Sequence, residues 1–155
     1  MRLLIQRVRQ AKVEIDGKTI SEIGCGLLVF VGICDNDTDT DIDYLSSKLV
    51  NLRIFDNSDG VMNLSALDTD ADILIVSQFT LYAQTRRGNR PSYILASKPD
   101  IAVPVYEKFC REVSRKLGKN VYTGVFGADM QVSLTNNGPV TIWIDSSEKT
   151  ISDRI

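Results

Sequence analysis

Residues 77–82 read Ser-Gln-Phe-Thr-Leu-Tyr. They set the hydroxyls of Ser77 and Thr80 and the amide of Gln78 around Phe79, at the polar end of an apolar run that begins at Asp72. Groups held at the end of a rigid strand can project into a cleft and orient or polarise a substrate. They can equally satisfy nearby backbone groups, and composition leaves both readings open. The chain has no histidine, so Ser-His, Cys-His and His-ligated metal chemistry are excluded. No base is evident in this sequence to activate Thr80 as a nucleophile, so if the chain is an enzyme its chemistry is unusual.

Just downstream, residues 84–92 hold Arg86, Arg87 and Arg90 with no acidic residue among them. Such a segment can grip phosphate beside a reacting group, or be a solvated basic loop. Lys108, Arg111 and Arg115, with Lys119 just beyond, could track a nucleic-acid backbone, or, interleaved with Glu107 and Glu112, be an ordinary exposed helix face. Asn137-Gly138 is a strong hairpin signal, with Pro139 opening the next strand. Nothing local predicts a cis bond at Gly138-Pro139, since only about 5–6% of folded X-Pro bonds are cis. Aspartates recur at every odd position from Asp35 to Asp43, but an EF-hand counted from Asp35 would need glycine at Thr40 and glutamate at Ser46. That run reads as a solvated loop and helix start. Cys25, Cys34 and Cys110 are odd in number and lack metal-site spacing, which predicts reduced thiols and no metal.

The elements that must carry these residues are legible from periodicity. Partial alternation at Leu4, Gln6, Val8 and then Ala11, Val13, Ile15, followed by Asp16-Gly17, predicts antiparallel strands at the start. Continuous apolar runs at 26–33 and 72–79 predict fully buried strands. Ile42, Leu45, Leu49 and Leu52 predict one helix. Ile101, Val105, Phe109, Val113 and Leu117 predict a second, starting near Pro99 or Pro104 with Pro104 confined to the first turn and ending at Gly118. Strands are expected at 121–126, 130–135 and 140–145, the last two joined by a turn at 136–139. The sum is α+β, sheet-rich, with two main helices and no regular strand-helix alternation.

With 155 residues, 43% apolar and 25% charged, one domain over 1–155 is expected, its tail 146–155 unassigned. A net charge of -2 provides no overall basic field, so a polyanion would need a local patch. Neither a signal peptide core nor a membrane span is present in the sequence, which predicts a soluble, cytoplasmic chain.

Taken together, residues 77–82 and 136–141 (Asn-Asn-Gly-Pro-Val-Thr) resemble the D-aminoacyl-tRNA deacylase family. So do Ile5-Gln6-Arg7-Val8, Leu52-Arg53-Ile54-Phe55, Arg90-Pro91-Ser92 and residues 123–130. Asn137 departs from the aspartate that family members often carry, which bears on a side-chain role there and leaves Gly138-Pro139 intact. The resemblance implies a mixed sheet rolled into a barrel-like core and a homodimer whose active site lies at the subunit interface. It implies a cis Gly138-Pro139 that enters the partner's site, where main-chain carbonyls exclude L-amino acids. It also implies that the 2′-hydroxyl of the terminal tRNA adenosine assists water, with backbone N–H groups near Phe79 and Thr80 holding the oxyanion and Ser77, Gln78 and Thr80 positioning. Phe126 and Met130 would line the adenine pocket or else pack the core, and Arg86, Arg87 and Arg90 would meet the tRNA. The resemblance implies hydrolysis of D-aminoacyl-tRNA, extending to mischarged glycyl-tRNA, with no cofactor. Two alternatives stand beside it: a non-catalytic RNA-binding or assembly subunit on the same scaffold, and a metal hydrolase using the aspartate run, which alone predicts sensitivity to chelators.

Overall fold

The computed structural model describes residues 1–148; residues 149–155, most of the unassigned tail, lie outside them. Strand β1 (Arg2–Ile15) turns at Asp16-Gly17, both at positive φ, into β2 (Lys18–Ile23). That is the short hairpin predicted there. β1 also pairs antiparallel with β3 (Gly26–Gly32), and β3 pairs in parallel with β6 (Asp72–Ser77). A short β7 (Tyr122–Thr123) extends the sheet beyond β6, and β8 (Gln131–Asp145) runs antiparallel along β1. β2 comes round towards β6 and β7, where the Ser21 hydroxyl donates to the Thr123 carbonyl at 2.5 Å. The mixed sheet thereby nearly closes into a barrel, and the fold is α+β.

The apolar runs are buried on both faces over 27–29 and 73–76, but the second strand ends at Ser77, short of the expected 79, and Phe79 is exposed. Leu27, Val29, Ile73 and Ile75 point into the main core, and Leu28, Leu74 and Val76 into a second one inside the rolled sheet. Two helices cover the main core. Helix α1 (Asp39–Asn51) starts with a reciprocal Thr38–Asp41 capping box and buries Ile42, Leu45 and Leu49; Leu52 falls at its C-cap. Helix α3 (Pro99–Leu117) ends at Gly118 in the left-handed conformation. Its buried face is Ala102, Tyr106, Phe109, Cys110, Val113 and Leu117, so the predicted stripe departs only at its start, where Ile101 is exposed. Pro104 lies inside the helix rather than in its first turn, on an exposed position.

Other boundaries also differ from the expectations. The alternation at the start of β1 buries Leu3, Ile5 and Arg7, not Leu4 and Gln6, and it changes face where register shifts flank Val8. Residues 53–69, for which periodicity predicted no strand or helix, contain a hairpin of β4 (Phe55–Asp56) and β5 (Met62–Leu64) and a single helical turn, α2 (Ala66–Thr69). Most consequentially, no hairpin joins 130–135 to 140–145. They are one strand, β8, in which Val8 pairs with Asn136 and Gln6 with Thr141. Two steps along β1 face five along β8, so residues 137–140 are pushed out of the ladder as an enlarged bulge. No helix among the described residues is long and apolar enough to cross a membrane.

Candidate active site

Because β3 and β6 are parallel, their C-terminal ends open at the same rim, and the chain beyond them builds the site. The Gln78 N–H donates to the Val31 carbonyl at 2.7 Å and extends the ladder by one step. The chain then coils into a 3-10 turn, Phe79–Tyr82. This turn sits directly on the backbone of Gly32, where a Cβ would come within 3.0 Å of Leu81 Cβ and 3.3 Å of the Gln78 carbonyl. A side chain at 32 would lift the turn.

Beside it lies a cavity of about 260 Å³ whose wall includes Ser77, Gln78, Phe79, Phe126 and Met130. Segments 77–79 and 126–130, far apart in sequence, therefore meet across one hollow. None of its lining side chains is ionisable. Phe126 both lines the cavity and meets the core residue Tyr106 edge-on at 5.8 Å. Thr80 is half-buried and outside the lining; its hydroxyl accepts from the Gln78 side-chain amide at 2.5 Å. Phe79 is 55% exposed and meets the Tyr93 ring edge-on at 5.0 Å.

The nearby titratable groups are held neutral. Burial, reinforced by Cys34, pushes the Tyr82 phenol up, and burial likewise raises Tyr106, whose hydroxyl donates to the Ile75 carbonyl at 2.8 Å. Burial pushes the Cys110 thiol up to about 12, which denies it thiolate reactivity at neutral pH.

Arg86 and Arg87 border a separate hollow of about 730 Å³, together with Arg2, Tyr82, Gln84 and Ser92. Reciprocal backbone bonds between Gln84 and Ser92, 2.8 and 3.0 Å, close the arginine loop as a small arch. Arg90 is exposed on that arch and outside the lining. On α3 the basic face is internally paired: Lys108 with Asp39, Arg111 with Glu107, Arg115 with Glu112, and Lys119 with Asp70 and Asp72.

The Gly138-Pro139 bond is cis, with Gly138 at φ 135°, and both residues are exposed. Neither lines the cavity of its own chain. Arg7 supports the bulge from beneath. Its Nε donates to the Asn137 carbonyl at 3.0 Å and its Nη1 to the Ile54 carbonyl at 2.6 Å, with Asp56 at 3.2 Å. The Asn136 side chain accepts from the Val140 N–H at 2.8 Å, tying together the two ends of the bulge.

Arg2, Arg7 and Gly32 were not singled out from the sequence as site residues. A signal existed for Arg7, a cation sharing strand parity with buried Leu3 and Ile5. Gly32 ends a buried strand, where a glycine marks close approach of other backbone. Arg2 carries no local signal. Among the described residues, no group of three or more Cys, Asp or Glu side chains converges to hold a metal.

A family model described as D-Tyr-tRNA(Tyr) deacylase matches residues 4–145. Proteins named D-aminoacyl-tRNA deacylase from Parabacteroides distasonis and Porphyromonas gingivalis are 59% and 60% identical over 149 residues, 96% of this chain and 99% of each relative. Among solved structures, one described as c-Myc DNA Unwinding Element Binding Protein superposes with a TM-score of 0.89 at 37% identity, covering 94% of this chain and 98% of that one. Another, described as a probable eukaryotic D-amino acid tRNA deacylase, gives 0.80 at 21% identity over 93% and 98%, a likeness of fold alone.

Proposed function

The chain belongs to the D-Tyr-tRNA(Tyr) deacylase family and is an enzyme that hydrolyses the ester of D-aminoacyl-tRNA, and from that premise we propose how its residues divide the work. The observation that carries the proposal is the cavity without an ionisable side chain. A base that the protein lacks has to come with the substrate. The 2′-hydroxyl of the terminal adenosine lies one carbon from the ester and assists a water molecule as it adds to the carbonyl. The C–O3′ bond then breaks, the 3′-oxygen takes the proton, and free D-amino acid and tRNA leave. Amides at the start of a helical turn have no intrahelical acceptor, and those of Phe79 and Thr80 stabilise the developing oxyanion. Ser77, Gln78 and Thr80 position the ester, Thr80 through its bond to Gln78.

Phe126 and Met130 receive the adenine common to every tRNA. Arg86, Arg87 and Arg90 meet phosphates upstream of it. Chirality is read by the main chain at Gly138-Pro139, which stands exposed on its bulge and projects into the cavity of a second copy in a homodimer. An editor of many amino acids must test the α-carbon and ignore the side chain, which rigid backbone can do and a side-chain pocket cannot. Glycine has no Cβ to be rejected, so misplaced glycyl-tRNA is also a substrate. The cytoplasm, where tRNA is charged, is the compartment this activity requires.

The test pairs a variant with an altered substrate. Thr80→Ala retains measurable turnover of D-aminoacyl-tRNA, while the wild-type enzyme is almost inert on tRNA ending in 2′-deoxyadenosine. Near-total loss in Thr80→Ala alongside full activity on the deoxy substrate would make Thr80 the reacting group. Binding of tRNA without D-selective ester loss would leave only the non-catalytic RNA-binding reading.

A further inference from the structure

We propose that Arg2 is a positioning residue for the reaction, a guanidinium clamp that holds the Leu81–Tyr82 end of the turn carrying the Phe79 and Thr80 amides. The proposal rests on the reading of that turn as the reacting one. Arg2 opens β1, paired with Gly32 of β3 on one side and Asp145 of β8 on the other. From there its side chain reaches over the turn. Nε donates to Asp145 Oδ2 at 2.7 Å, and Nη1 donates to the Leu81 carbonyl at 2.9 Å. The guanidinium plane lies 4.2 Å from the centre of the Tyr82 ring and 5.5 Å from that of Trp143. A planar fork held by a carboxylate, a carbonyl and two aromatic faces has little freedom left, a set of contacts that an ammonium cannot reproduce.

The turn is thus gripped between two features of neighbouring strands. Gly32 beneath it has no side chain, so Leu81, Tyr82 and the Gln78 carbonyl settle onto backbone. Arg2 holds the Leu81 carbonyl near the end of the turn. The main chain is thereby fixed at both ends of a four-residue segment: at Gln78 by the Val31 carbonyl, and at Leu81 by Arg2. Displacement of a reacting centre by about 1 Å can cost on the order of a hundredfold in rate, so a clamp this close to the amides acts on turnover rather than on binding.

The experiment compares Arg2→Gln, Arg2→Lys and Gly32→Ala in the full chain, with steady-state kinetics on D-aminoacyl-tRNA well below each melting temperature. Arg2→Gln is expected to lower kcat by on the order of 10- to 100-fold with KM changed less than about threefold, and Arg2→Lys to fall between it and wild type. A purely structural role predicts a lower melting temperature with kcat unchanged among folded molecules, and that result overturns the proposal. Gly32→Ala displaces the turn while keeping the Arg2 guanidinium, and so separates loss of the turn's position from loss of the clamp. If folded Gly32→Ala loses kcat while Arg2→Gln does not, the clamp is refuted and the catalytic turn survives. If both keep wild-type kcat, the turn is not the reacting element and the clamp falls with it.

Discussion

Arg7 carries a full charge into a place where only 6% of the residue meets water, and it is held there by two main-chain carbonyls from distant segments. Its contact with Asp56, itself about half exposed, adds little, because solvent screens such a pair. The value of Arg7 lies in the carbonyls. Truncating it strands buried acceptors, at a cost of about 1–3 kcal/mol each. Arg7→Met is therefore expected to lower unfolding stability in urea by about 3 kcal/mol and to loosen the Gly138-Pro139 bulge. The ratio of D- to L-aminoacyl-tRNA hydrolysis should drop more than the D-rate itself; an unchanged ratio in a destabilised variant would confine Arg7 to folding. Gly138 is constrained from the same side, since a Cβ there would sit 2.8 Å from Val140 Cγ2 and 3.1 Å from Arg7 Nη2, on backbone that L side chains rarely adopt. Such residue roles were only partly legible beforehand. The chemistry of residues 77–82 is written in their types, but that Arg7 faces inward depends on which parity of β1 is buried.

At the scale of elements, three pieces of chain, the start of β1, the end of β8 and the 3-10 turn, are joined through the pair of Arg2 and Asp145. Burial pushes the Asp145 carboxyl up, but the Ser147 backbone N–H, the Arg2 guanidinium and the Ser147 hydroxyl outweigh it, and the net position is below the ordinary 3.8. A depressed carboxyl contributes stability that is full above its unfolded pKa and is lost as pH falls through its folded one. This junction is therefore expected to hold unchanged from pH 8 to about 5 and to weaken below about pH 4, visible as a part of the acid limb in melting temperature that Asp145→Asn makes shallower. An acid limb unaltered in that variant would place the titrating group elsewhere. The buried strands were legible because continuous apolar runs bounded by polar turns have few other uses. The hairpin expected at residues 136–139 was not formed. Asn-Gly favours a tight turn only when the flanking strands pair with each other, and here both halves of β8 pair with β1 instead. On α3 the expected Phe109, Val113 and Leu117 are buried, and only the start of the stripe departs, with Ala102 buried and Ile101 exposed.

For the whole molecule, the decisive arrangement is a cavity on one chain and a Gly138-Pro139 bulge that lies outside that chain's own cavity. Co-expressing Gly138→Ala, whose bulge is damaged, with excess Gly32→Ala, whose cavity is damaged, tests whether the two meet across a dimer. If they do, every intact cavity faces an intact bulge, and hydrolysis of L-aminoacyl-tRNA per Gly138→Ala chain falls while D-hydrolysis persists. L-hydrolysis unaffected by the partner chain would mean that the bulge serves its own cavity. The aspartate run, the one metal-like pattern in the chain, is spent on the scaffold: Asp35 on Ser97, Asp37 on the Cys34 N–H, Asp41 on the α1 cap, and Asp39 and Asp43 on lysines of α3. By itself the sequence determined the class of fold, its buried strands and two helices, the absence of imidazole chemistry and the identity of the polar groups at 77–82. All of these follow from residue type and local period, which act over a few positions. Only the tertiary structure decided that Phe126 and Met130 share a cavity wall with Ser77 and Gln78, that Arg7 holds the Asn137 carbonyl from 130 residues away, and that Arg2 reaches the turn at 79–82. Those contacts depend on the register of β1 against β3 and β8, which is set by how the whole sheet buries its two faces.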